Sequence, residues 1–167
     1  MDFYYINFFH VLFTLLIVHY PVLVKTNYYY DFVYILFMFA LLYSYILLNG
    51  ECFVSYFIKK YKNPAYKAGT DVSVNDEYKS VLFNSDTIAK YLIYYILVAM
   101  IISGFVVLRR HRFLQPIFVY LFSGLLLLYF VLLRMAANKV LEKFFNVGFF
   151  GYITFLLYKL LSYHKLI

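Results

Sequence analysis

From Tyr91 to Leu133 the chain reads YLIYYILVAMIISGFVVL, then RRHR, then FLQPIFVYLFSGLLLLYFVLL. Two charge-free runs, Tyr91–Leu108 and Phe113–Leu133, flank Arg109, Arg110, His111 and Arg112. The runs hold 18 and 21 residues, and about 20 apolar helical residues cross a hydrocarbon core of about 30 Å. Both are continuous and lack the period-two alternation of strands, so helices are the expected way to satisfy the backbone. Only four residues separate the runs, and Pro116 suits a helix first turn. The stretch therefore predicts a tight antiparallel helical hairpin.

Outward from this hairpin lie three more charge-free runs, Phe3–Val24, Phe32–Gly50 and Phe144–Tyr158, of 22, 19 and 15 residues. The last extends to about Tyr163 if Lys159 snorkels, and is otherwise an interfacial helix. The expectation is an all-α, polytopic helical membrane protein with one membrane domain over residues 1–167. Its four spans fall at about 3–24, 32–50, 91–108 and 113–133, with a fifth at 144–163. Composition agrees: 65% of residues are hydrophobic, 14% are charged and mean hydropathy is +0.77, whereas soluble domains carry about 25% charged residues. That balance excludes a secreted disulfide scaffold, a disordered tail and most soluble enzyme folds. The first run has no basic n-region and exceeds the usual 7–15 residues of a leader's apolar core, so it reads as a span.

The only long polar stretch is Glu51–Lys90. Its beginning, from Phe53 to Tyr61, has apolar residues at i, i+3 and i+4 and predicts a short interfacial helix ended by Asn63-Pro64. Lys67 to Ser85 reads as loop, and Asp86 as the N-cap of the third span. Leu133–Phe145 reads as an amphipathic helix or a continuation of the fourth. With five spans, nine Lys and Arg residues fall on the side of the N-terminus and the long loop, against six on the other. The positive-inside rule then places the N-terminus and the 51–90 loop on the cytoplasmic or matrix-like side, with the arginine-rich hairpin tip as the exception.

Ionisable residues within spans are the usual pointer to chemistry. The five runs contain only His10 and His19, nine residues apart and so on opposite helix faces. They share no ligand. His10 with Thr14 forms a polar stripe expected to make an interhelical hydrogen bond. No metal-ligand spacing, phosphate loop or nucleophile elbow is visible, so neither an enzyme nor a cofactor is expected. No buried carboxylate is expected, and so neither a proton relay nor a cation site.

The net charge of +7 is assigned to anionic lipid headgroups rather than nucleic acid. Arg109, Arg110 and Arg112 are read as contacts to acidic headgroups or an acidic partner. Gly148 and Gly151 are candidate helix-packing positions. Asn49 ends the second span, Cys52 reads as a small filler, and Glu51 is expected to accept a hydrogen bond from a partner or from the first span.

Asn49, Cys52, Val54, Ser55, Lys59 and Lys60 form an Asn-x-x-Cys-x-aliphatic-Ser pattern followed by a lysine-containing helix. This segment resembles small multi-span membrane proteins of large DNA viruses, over about 20 residues. The resemblance implies an origin and a membrane, and no activity. Abundant Phe (20) and Tyr (21) without Trp point likewise to an A+T-rich genome. The expected role is a non-enzymatic structural or accessory subunit of a larger membrane assembly. A viral internal membrane comes first and an organellar inner membrane next, with lipid and other membrane or capsid-type proteins as partners. The alternative is a small transporter or channel, with His10, Thr14, Ser103 and Ser123 lining a polar path.

Overall fold

A computed structural model describes residues 3–49, 51–70, 75–82, 85–135 and 139–163. Side chains between 129 and 145 lie outside that description, and with them the expected amphipathic face of Leu133–Phe145. The described residues form helices joined by turns, without a strand among them. Five long helices are α1 (Phe3–Val18), α3 (Tyr28–Leu47), α6 (Asp86–Arg110), α7 (Pro116–Met135) and α8 (Lys139–Tyr163). Three short ones are α2 (Tyr20–Leu23), α4 (Phe53–Lys62) and α5 (Asn75–Val81).

The long helices alternate in direction. The start of α3 meets the end of α6 through Asp31 and His111, while the start of α1 meets α5 through Asn7 and Ser80. Helix α8 lies against α3 and α7, joined by Tyr43 to Thr154 at 2.9 Å and by Tyr152 to the Phe118 carbonyl at 3.0 Å. Buried faces follow helical periodicity. On α6 the buried positions include Ala89, Ile93, Ile96, Met100, Ser103 and Val107 in alternating steps of four and three, widened by Gly104 and Leu108 toward the end of the helix. Helix α3 buries Asp31, Tyr34, Ile35, Met38, Phe39 and Leu42, and α8 buries Phe149, Ile153, Leu156 and Leu160. Such seams let neighbouring helices interlock nearly antiparallel.

Among the described residues two helices, α3 and α6, are long and apolar enough to cross a membrane. The count of four spans therefore needs correction. Helix α1 has 16 residues, which gives about 24 Å at 1.5 Å per residue. It stops because Pro21 cannot donate the amide hydrogen that Ile17 O would accept. The chain turns at His19 and restarts as α2 with Pro21 in its first turn. In α7 the apolar stretch within the described residues is Pro116–Leu125. Helix α8 carries Lys139, Glu142 and Lys143 in its first turns.

Two further expectations change. Lys67–Ser85 is not all loop, because α5 forms there and buries Tyr78 against the bundle. Residues Tyr78, Val81 and Leu82 supply the apolar i, i+3, i+4 face that rewards helix formation. The N-cap of α6 is Ser85, whose hydroxyl accepts from the Ile88 amide at 3.4 Å. Asp86 is instead the first helical residue and pairs with Lys79, a favourable place for a carboxylate near the positive helix end. A helix does form over the expected segment as α4, and its end at Asn63 agrees with the reading.

Candidate functional site

Two carboxylates are buried inside the bundle, one near each end of α3: Glu51, expected to meet a partner or the first span, and Asp31, which the sequence reading did not single out. Asp31 is 0% exposed and Glu51 is 1% exposed. From Asp31 to the end of α3 at Leu47 the helix rises about 24 Å, and the turn that follows carries Glu51, so the two acids lie toward opposite ends of a helix long enough to cross a bilayer. The expectation that the chain lacks a buried carboxylate is thus corrected. Both acids stand just outside the charge-free runs and fold inward because cations lie within reach.

At the first end, the α6–α7 turn brings His111 and Arg110 to Asp31. His111 Nε2 donates to Asp31 Oδ2 at 2.8 Å. Arg110 Nη1 lies 3.7 Å from Asp31 Oδ1, close enough for charge attraction and too long for a hydrogen bond. Arg110 also donates to the carbonyl of Pro21, tying the α1–α2 break to α6. Tyr28 sits edge-on to the His111 ring at 5.3 Å, and Phe113 covers it at 5.2 Å. Of the three arginines expected to face outward, only Arg109 and Arg112 are exposed, Arg109 lying 5.6 Å from the Phe105 ring. Arg110 is used internally because a buried carboxylate without a cation is costly.

One turn deeper, Tyr34 compensates the Pro21 break. Its hydroxyl donates to the freed Ile17 carbonyl at 3.2 Å and receives Ser103 Oγ at 2.5 Å. Tyr20 stacks on Tyr34 with ring centroids 4.2 Å apart. His19 donates from Nδ1 to Leu15 O at 2.7 Å and accepts from Tyr95 at Nε2. None of these residues was singled out for this role, although a proline four residues after Ile17 marks a carbonyl that needs a new donor.

At the second end, Asn49 takes a left-handed backbone with φ of 52° and donates from Nδ2 to Ala68 O at 3.3 Å. That turn delivers Glu51 into the bundle. Its Oε1 accepts from Lys59 Nζ at 3.2 Å and from the Tyr66 hydroxyl. Glu51 Oε1 is therefore engaged by α4 and the turn after it, not by α1, while Oε2 finds no hydrogen-bond partner. The first span is reached by Cys52 instead, whose Sγ lies 3.8 Å from His10 Nε2. Lys60 Nζ closes the same turn onto Tyr66 O at 3.0 Å.

His10 and Cys52 share a cavity of about 60 Å³ with Thr14, Tyr78, Ile96 and Met100. Thr14 turns its hydroxyl to the His10 carbonyl at 2.8 Å, so the stripe is partly closed within its own helix. Along α4, Phe53, Phe57 and Tyr61 are exposed at i, i+4 and i+8, an outward aromatic stripe beside the lysines. Gly148 and Gly151 face open space, with nothing within 4 Å of an added Cβ. Neither brings α8 against another helix of this chain.

No group of three or more His, Cys, Asp or Glu able to hold a metal occurs among the described residues. Comparison with protein-family models, curated proteins and solved structures finds no match. Function must therefore be argued from this geometry alone.

Proposed function

We propose that the chain is an integral membrane protein serving as a non-enzymatic structural or accessory subunit of a larger membrane assembly. One observation carries this reading: the buried acids are paired within the chain, though Asn7 Oδ1, Tyr20 OH and Glu51 Oε2 find no hydrogen-bond partner, while the outer surface is broadly apolar. Asp31, Glu51, Tyr34, Tyr43 and Tyr152 are all tied to partners within the chain. Outside, Phe9 is 63% exposed, Tyr91 71% and Val147 75%. Apolar area of this extent suits lipid and neighbouring helices rather than water. The two buried ion clusters, one toward each end of α3, would then lie toward the two headgroup levels.

A viral internal membrane is favoured over an organellar one by the segment from Asn49 to Lys60 and by the Phe- and Tyr-rich composition without Trp. The orientation with the N-terminus and the 51–90 loop inward rests on the Lys and Arg tally. The transporter alternative has less support. Its four residues do not share a path: His10 and Thr14 line one cavity, Ser103 lines another groove, and Ser123 bonds the Val119 carbonyl of its own helix.

The test is extraction in mild detergent from the native source, with sizing and mass spectrometry of what co-purifies. Stoichiometric recovery with other proteins of a large assembly is the expected result. A chain that elutes alone or as a small homo-oligomer contradicts the accessory role, and reconstituted flux assays on Thr14 and Ser103 substitutions then test the alternative.

A further inference from the structure

Pro21 does more than end α1. Because the chain turns at His19 and restarts as α2, the wall that α1 builds along α6 stops short, and a groove opens between the break and α6. Its volume is about 320 Å³, within the range of about 300–1,000 Å³ usual for ligand pockets. Val18, Pro21 and Val22 form one wall. On α6 the lining is Tyr95, Val98, Ala99, Ile102, Ser103 and Val106, whose steps of three and four make one stripe. Ala99 and Ser103 are its small, less exposed members, while Val98 and Ile102 are exposed. The polar side chains of the lining are already engaged: Tyr95 meets His19, His19 also meets the Leu15 carbonyl, and Ser103 meets Tyr34. What stays open is hydrocarbon surface, which suits an alkyl chain rather than a polar solute. From Tyr95 to Val106 the stripe rises about 16 Å, and one leaflet is half of a hydrocarbon core of about 30 Å.

Cations stand at one end of this stripe. Continuing it by one turn from Val106 leads to Arg109 and Arg110. Arg110 donates to the carbonyl of Pro21, so its guanidinium closes that end of the groove. Arg109 is exposed beside it. Across residues 18–34 and 102–120, which supply this end of α1, α2, α3, α6 and α7, Asp31 is the sole acid, against Lys25, Arg109, Arg110 and Arg112. Asp31 is committed to Arg110 and His111. Among the described residues no carboxylate pairs with Lys25, Arg109 or Arg112, and all three are exposed.

We propose that this groove binds one anionic glycerophospholipid, with an acyl chain along α6 from Val106 toward Tyr95 and the phosphate seated at Arg109. A guanidinium binds a phosphate through paired N–H donors. Lys25 and Arg112 add to the positive field and disfavour a headgroup that carries its own cation. Arg110 stays with Asp31 and Pro21 and shapes the mouth of the groove. The bound chain covers the flank that α1 leaves bare where it breaks. The inference rests on the membrane placement proposed above and is independent of the assembly role.

The chain contains no Trp, so a single introduced Trp reports on one place. Val22→Trp puts it on the groove wall, where Val22 is exposed. Tyr158→Trp puts it on α8, which is exposed there and supplies no groove residue. Each full-length variant is reconstituted in phosphatidylcholine vesicles. A rising fraction of the lipid is replaced by brominated phosphatidylglycerol or by brominated phosphatidylcholine with the same chains, and Trp quenching is read. Half-quenching of Val22→Trp is expected at an about fivefold lower fraction of the anionic lipid, the effect of one basic residue at an anionic surface. Tyr158→Trp should show no such preference. Adding Arg109→Gln to Val22→Trp should abolish the preference, and adding Ala99→Phe, which fills the groove, should bring its curves to those of Tyr158→Trp. Folding of each variant is checked by elution position and helical circular dichroism, and the comparison of the two reporters needs neither added change.

Equal response of Val22→Trp to the two lipids overturns the proposal. So does an equal preference at both reporters, which is diffuse surface charge, or protection of Val22→Trp from both lipids, which a second copy seated on the groove would give. A preference that survives Arg109→Gln overturns the phosphate seat. Release of the protein from the vesicles by alkaline carbonate overturns the membrane placement and this inference with it, whereas retained protein with any of those curves overturns the lipid site alone.

Discussion

Replacing Asp31 by Asn removes the charge that holds the α1–α2 break, the start of α3 and the end of α6 together. Asp31 is fully buried, while Arg110 and His111 retain 20% and 17% exposure. Removing one member of a buried pair commonly costs about 3–5 kcal/mol, because the remaining charge is stranded. Arg110 can turn partly toward solvent and keeps the Pro21 carbonyl, which places the expected loss near the lower end, about 3 kcal/mol. That is roughly a hundredfold in the folding equilibrium. His111→Gln, which removes only the 2.8 Å bond, should cost about 1–2 kcal/mol.

The paired change Asp31→Leu with Arg110→Met should recover much of the loss, since neither charge is left behind. The assay is equilibrium unfolding in detergent followed by helical circular dichroism, run as a double-mutant cycle. An Asp31→Asn variant within about 0.5 kcal/mol of wild type, or a cycle with no coupling, would refute the reasoning.

Other predictions concern separate parts of the molecule. Tyr34→Phe should destabilise by about 1–2 kcal/mol through loss of the donor to Ile17 O. The penalty should shrink in a Pro21→Ala background, where the restored amide can serve that carbonyl, and the same unfolding cycle reads the difference. Gly69→Ala should lower the melting temperature, because φ is 78° and the new Cβ would lie 2.5 Å from Asn49 Cβ. A thermal scan in detergent that shows no shift would contradict the tight Asn49–Gly69 approach. Glu51→Gln should loosen the turn from Asn63 to Tyr66 by weakening the Lys59 and Tyr66 contacts. Trypsin cleavage after Lys62 and Lys67 should then accelerate several-fold, and an unchanged rate would count against the buried acid as the turn's anchor.

The helices themselves were legible as long runs without charge, and so was α4 from its spacing and its Asn63-Pro64 stop. The faces were not. A helix that is apolar all round carries no periodic signal of which side is buried, so the seam from Ala89 to Val107 could not be read from α6. Counting charges also hides backbone breaks, and Pro21 cut the first run although every residue there is uncharged. Asp31 was missed because it stands one residue before the run Phe32–Gly50. The signal was present, since five alternating helices put Asp31 and the arginine-rich tip at the same end. Glu51 was directed to a partner or the first span and Cys52 was read as a filler, because a one-residue step across the Asn49 turn decides which side chain meets α1 and which meets α4. Helix α5 was hidden by Asp71, Asn75 and Asp76, which made the segment read as loop before Tyr78 and Leu82 were weighed.

The central claim is a bilayer-crossing α3 with the Glu51 cluster on one side and the Asp31 cluster on the other. Single cysteines at Lys67 and Arg112 in a Cys52→Ser background test it directly, each beside one cluster and exposed. Sealed vesicles of uniform orientation are treated with a membrane-impermeant maleimide before and after permeabilisation. The account predicts that one position labels in intact vesicles and the other only after permeabilisation. Equal labelling of both in intact vesicles, or release of the protein by alkaline carbonate, would contradict it.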